Sequence, residues 1–194
     1  MSALRKQLES AAFPDLEAMM AGYAQAAADL ARGAFHQKLD FTAESIDSLD
    51  EILVVVGESP EMDLDFEVRL WGSYLGEVLR RRYAGSWEMT QYPGGAAAVP
   101  AVEVRGSRLF PLMKVYRRLT IGTEDDLRAF FAMVTERLGN PAQVNLRQGL
   151  RHCGTKEPVR NLRSAFGAWD VLQGRARRVS LALCNNSLWR KRAG

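Results

Sequence analysis

Along most of the first 140 positions, apolar residues recur at the spacing that gives a helix one core-facing stripe. Leu16, Met19, Met20, Tyr23, Ala27 and Leu30 form the first stripe, which runs up to Gly33. Pro14 is predicted to open that helix as its first residue, with Asp15 and Glu17 near the positive end of the dipole. A second stripe, Ile46, Leu49, Ile52 and Leu53, ends at Gly57. Thr42 is its predicted N-cap, and Phe41 and Ile46 have the spacing of a hydrophobic staple. The clearest helix is predicted over 60–83: Ser59 caps, Pro60 opens, Glu61 and Asp63 suit the first turn, Arg80, Arg81 and Arg82 the last, and Gly85 the stop. Its stripe is Leu64, Val68, Trp71, Leu75, Val78 and Leu79. Gly72 and Gly76 lie one turn apart within it. Each costs a helix about 1 kcal/mol relative to alanine, so the pair predicts close approach of another backbone.

The pattern then changes period. Residues 87–92 alternate and read as a strand, 93–98 as a loop, and Val99 to Val104 as a second strand with Val102 and Val104 on one face. Arg105 to Arg108 reads as a turn and Leu109-Phe110 as the start of a third strand. Pro111 opens a short helix with Leu112, Val115 and Leu119 inward and Lys114, Arg117 and Arg118 more exposed. A last helix is predicted over 124–138, capped by Thr123, with Phe130, Phe131, Val134 and Leu138 as its stripe and Gly139-Asn140-Pro141 as its end. Beyond it, 165–172 reads as helix and 179–184 as strand, less legibly. The fold class expected is α+β, with four or five helices packed around a small antiparallel sheet.

Charge divides the chain more sharply than hydropathy does. Residues 1–140 carry 15 Lys/Arg against 21 Asp/Glu, a balance of −6, whereas 141–194 carry 11 against 2, a balance of +9. The sequence therefore reads as an acidic domain over 1–140 with a basic C-terminal extension over 141–194. Length (194 residues) and composition (47% hydrophobic, 25% charged) fit one globular domain plus such a segment. No run approaches the roughly 18 apolar residues of a membrane span. Glu9, Pro14, Asp15 and Glu17 interrupt the place where an export signal would need an apolar stretch, so a cytoplasmic location is expected.

Candidate chemistry is sparse. His36, His152, Cys153 and Cys184 lack the spacing of a metal site, and neither cysteine has an identifiable base. There is no phosphate-cradling glycine loop and no Gly-x-Ser-x-Gly, so no cofactor and no catalytic residue is expected. Glu77 and Arg81 stand at i,i+4. In the basic segment Arg177, Arg178, Arg190 and Lys191 are the candidate binding residues, with Phe166, Trp169 and Trp189 scattered among the arginines.

The segment Trp71-Gly72-Ser73-Tyr74-Leu75-Gly76-Glu77-Val78-Leu79-Arg80-Arg81 resembles part of an uncharacterised bacterial domain family. In that family a G-x-Y-L-G-E-V helix precedes a tryptophan strand, a proline-led K-V-x-R-R-L segment and an acidic-capped helix. Trp87 matches the tryptophan; Pro111, Lys114, Val115, Arg117, Arg118 and Leu119 match the third element; Gly122 with Glu124, Asp125 and Asp126 match the fourth. The likeness spans about 38–140 and implies that Gly72, Gly76, Glu77, Trp87, Lys114 and Arg118 form one structural or functional unit. In physical terms the Glu77 helix would lie against the Lys114/Arg118 segment, most simply as a structural ion pair beside a tight helix contact.

These readings favour a protein-interaction or regulatory module without catalytic activity, of a kind that neutralises a partner protein. The alternative is a nucleic-acid-binding protein acting through the basic segment, and an enzyme of unrecognised type comes third.

Overall fold

A computed structural model of the chain describes residues 2–95 and 97–139. The helix expected over 165–172, the strand over 179–184 and the basic residues of 141–194 lie outside them. The chain divides into two compact units; among the described residues the first holds 2–88 and 101–139, the second 89–95 and 97–100.

The order of elements is α1 (Ser2–Ser10), α2 (Leu16–Ala34), α3 (Ser45–Gly57), α4 (Leu64–Tyr83), β1 (Ser86–Gln91), β2 (Ala98–Val104), β3 (Ser107–Leu109), α5 (Pro111–Ile121), a 3-10 turn (Thr123–Asp125) and α6 (Leu127–Leu138). The fold is thus α+β, with a three-stranded antiparallel sheet in the order β1-β2-β3. It has one helix more than expected: α1 carries too short an apolar pattern to stand out in the sequence.

Four helices start later than predicted, two of them past a proline, and three of the four begin at a capping aspartate. Asp15, not Pro14, begins α2 by accepting from the Ala18 N–H at 2.8 Å. Pro60 sits in a turn closed by the Met62 N–H on the Ser59 carbonyl, and α4 starts only where Asp63 accepts from the Phe66 N–H. Thr42 uses its hydroxyl on Asp40 at 2.6 Å, so α3 begins at Ser45 without a side-chain cap. Likewise Asp126, rather than Thr123, caps α6.

α4 is the centre of the first unit. It packs against α2 on one side and α5 on another, while α3 packs against α5 and α6. Phe66, Leu70, Trp71, Tyr74, Leu75 and Leu79 are all buried to within 1% of their surface. A helix buried over so much of its circumference is a core element and not an amphipathic surface one. Its stripe is accordingly wider than predicted, although Leu64 itself is half-buried.

The glycines permit that burial. A methyl group at Gly72 would stand 2.8 Å from the Cα of Leu112 in α5, and one at Gly76 would enter the Trp87 ring. Gly85 is not the left-handed cap of α4, since Ala84 takes that conformation (φ 52°). Gly85 instead admits β2, whose Glu103 carbonyl would lie 2.5 Å from an added methyl. In the β2–β3 hairpin Val104 faces Ser107, leaving Arg105 and Gly106, both at positive φ, as a two-residue turn whose twist matches the strands.

In the second unit, Val99 and Pro100 are buried, and the Gln91 side chain donates to the Gly95 carbonyl at 2.6 Å.

The Gly72–Leu112 contact gives a direct test. Leu112 presents backbone there and cannot rotate away. Gly72→Ala is therefore expected to destabilise by about 1–3 kcal/mol from overpacking, despite alanine's better helix propensity. The midpoint of urea unfolding is the measurement, and a stabilised variant would refute the close contact.

Candidate functional site

Glu77 lies on α4 with no solvent exposure. A buried carboxylate has to be bonded on both oxygens, and the local sequence brings the donors. Arg80, three residues on, donates its Nε to Oε1 at 2.7 Å and its Nη2 to Oε2 at 3.0 Å. Arg81, four residues on, donates its Nε to Oε2 at 3.1 Å. The chain then turns through Ala84 and Gly85 and returns Trp87, whose indole N–H donates to Oε1 at 2.9 Å. Burial pushes the Glu77 carboxyl up, but the bonds from Arg80 and Trp87 and the charges of both arginines outweigh it, so it titrates below the ordinary glutamate value.

The cluster continues outward. Arg80 reaches Glu17 on α2 at 3.2 Å. Arg81 lies 3.7 Å above the Phe41 ring, which packs on Tyr74 at 4.8 Å between centroids. Phe41 occupies the left-handed region (φ 63°), a strained conformation for an aromatic residue. It is held there by its N–H on the Tyr74 hydroxyl at 2.9 Å, and that hydroxyl also meets the Ser45 hydroxyl at 2.6 Å. Phe41 is thus tied to α4 as well as preceding α3.

Lys114 and Arg118 do not join Glu77, although α5 does lie against α4. Arg118 is not exposed, as expected from the stripe, but buried to 3%. It donates Nε and Nη2 to the two oxygens of Asp50 in α3, at 2.7 and 3.2 Å. Asp50 also accepts from the Leu127 N–H at the start of α6, 3.3 Å away, so one carboxylate ties three helices. Lys114, also largely covered, binds the Asp125 carboxylate and backbone carbonyl. Arg117 stays exposed and meets the same carboxylate at 2.6 Å. Burial pushes the Asp125 carboxyl up, and the bonds and charges of Lys114 and Arg117 bring it below its usual value.

The four candidate residues of the body therefore fall into two separate regions: Glu77 with Trp87, and Lys114 with Arg118 around α5. Arg177, Arg178, Arg190 and Lys191 lie outside the described residues. Asp50 escaped the sequence reading, and Glu67 read there only as part of a solvated acidic turn at the start of the helix. Asp50 stands beside Leu49 in an apolar stripe, and Glu67 is one helical turn before Trp71, the only signals either offered. Glu67 is buried, accepts from the Trp71 indole N–H at 2.7 Å, and titrates above its ordinary value because burial outweighs that bond. No group of three or more His, Cys, Asp or Glu placed to hold a metal ion occurs among the described residues. No helix among them is long and apolar enough to cross a membrane.

Comparison of the chain with protein-family models, with curated proteins and with solved structures finds no match.

The two buried glutamates predict opposite pH signatures. Glu77, with its folded value depressed, contributes stability that is complete above the unfolded value of 4.5 and is lost as pH falls through the folded value. Glu67, with its folded value raised, costs stability as pH rises above 4.5. Glu77→Gln should destabilise at neutral pH by about 3–5 kcal/mol, since it leaves two arginines without their carboxylate. Glu67→Gln, which keeps an acceptor for Trp71, should be neutral or stabilising there. Urea titrations of both variants between acid and neutral pH check this; equal pH slopes in the two would contradict it.

Proposed function

We propose that the protein is a non-catalytic protein-interaction module whose acidic body meets a basic partner protein. The observation that supports this reading most is the outer face of α3. Asp47, Glu51, Val55 and Glu58 follow one another at helical spacing, and all four are exposed, Val55 to 58%. On the same helix Asp50 is clamped by Arg118 and the Leu127 N–H, so the backbone that carries the ridge is fixed against α5 and α6. A rigid surface loses little freedom on association, which favours binding. Arg128 reaches Asp47 at 2.8 Å and Glu51 at 3.7 Å, but exposed pairs of this kind contribute about 0–1 kcal/mol and yield readily to a partner's cation. A basic partner surface with one apolar contact for Val55 fits this face.

The test is affinity enrichment from the producing cells, followed by binding measurements with each purified candidate. The triple variant Asp47→Lys, Glu51→Lys, Glu58→Lys is expected to bind at least about tenfold more weakly than the wild type, with weaker salt dependence. Equal affinity in the two would count against the ridge. A purified protein that turned over a substrate, with turnover lost in Glu77→Gln, would count against the whole reading.

The charge of 141–194, 11 Lys/Arg against 2 Asp/Glu, favours a second reading as a nucleic-acid-binding protein. Affinity for RNA and DNA duplexes should then fall steeply with salt, and replacing Arg177, Arg178, Arg190 and Lys191 with alanine should flatten the slope by up to about 4. An unchanged slope would exclude those four residues as phosphate contacts.

A further inference from the structure

We propose that α1 is a strap, hinged at Ala11 and Ala12, which swings away from the first unit while α2 and α4 stay folded, and that ionic strength sets how often it does so. The proposal stands on how differently α1 and its neighbours are held. In α2 and α4, Met20, Ala24, Ala27, Ala31, Leu70, Trp71 and Leu75 are fully buried. In α1, Leu8 is the one buried residue among the described side chains, and Leu4 is half-buried. Two ion pairs add to them. Arg5 pairs with Asp63, and Glu9 lies 4.0 Å from Arg69. The Arg5, Asp63 and Glu9 side chains are each about two-fifths exposed, where salt screens such pairs.

A nine-residue helix is too short to persist unless it is docked, so its helicity depends on these few contacts. The hinge follows from what flanks it. Ala11 and Ala12 are both exposed. Phe13, the next residue, is fixed: its ring lies so close over Gly22 that a methyl there would come within 2.6 Å, and it packs on Tyr23 at 6.3 Å between centroids. Asp15 then caps α2. Motion of α1 is therefore cut off from α2 at Phe13. At the other end Asp63 receives Arg5 on Oδ2 and caps α4 with Oδ1, so losing Arg5 leaves that cap in place.

Hydrogen exchange on the full chain, followed by mass spectrometry, reads this directly. At low salt the amides of 4–10 are expected to exchange at least about 100-fold faster than those of 66–79, through local opening. Raising the salt to about 0.5 M should speed α1 a further few-fold and leave α4 unchanged. Arg5→Gln, which spares the Asp63 cap, should reproduce the salt effect on α1 alone, and Leu8→Ala should abolish its protection. Protection of α1 equal to that of α4 would overturn the proposal. So would salt-independent exchange of α1, or acceleration of both helices together, which would mark global unfolding.

Discussion

A carboxylate with no access to water has to draw every partner from the protein, and the donors of Glu77 dictate much of what surrounds it. Two come from its own helix at i+3 and i+4, so they oblige α4 to remain helical through Arg81. The third comes from Trp87 and obliges the chain to reverse within six residues of Arg81. The left-handed Ala84 provides the reversal, and Gly85 lets the returning strand pass close to β2. Arg80 carries the network to α2 through Glu17, and Arg81 carries it to Phe41. Were any donor removed, the cost would be that of a buried, underbonded charge and not of one hydrogen bond.

Asp50 works by the same rule at a second place. Arg118 supplies a two-pronged contact and the first turn of α6 supplies a free N–H, so the carboxylate joins α3, α5 and α6. The ion pairs in this body are graded by burial. Glu77 and the Asp50–Arg118 pair set the positions of helices, whereas Arg128 with Asp47 and Arg5 with Asp63 are open to water and contribute less. That grading separates the pairs that fix the helices from those that water and salt can loosen.

Where the sequence was legible, a residue's own type carried the signal. Leu112, Val115 and Leu119 mark the inner face of α5, Gly72 and Gly76 announce a close contact, and Gly57 and Gly139 stand at or just past helix ends. Where it was not, the deciding partner lay far along the chain. Arg118 read as exposed because it falls off the apolar stripe, and only Asp50, 68 residues away, makes its burial tolerable. Thr42 and Pro60 read as helix starts because capping preferences were weighed one residue at a time; Asp40 and Asp63 took precedence. The grouping of Glu77 with Lys114 and Arg118 failed for a related reason. The glycines made a close approach to α4 legible and the resemblance suggested the α5 segment as the neighbour, but which charges face which cannot be read from contact alone.

The glycines also show what the polar centre holds in place. Gly72 and Gly76 are one helical turn apart, and both admit a neighbour that no other residue would. The two depressions, about 5.4 Å apart, are filled by different elements: Leu112 of α5 covers Gly72, whereas Trp87 and Pro111 cover Gly76. The Trp87 ring covers Gly76 while its N–H reaches Glu77, the next residue, and a shift of one turn would separate ring and bond. The buried carboxylate therefore ties Trp87 to one place on α4, beside Gly76. Pro111, beside the same glycine, then places the start of α5 and with it Arg118 opposite Asp50.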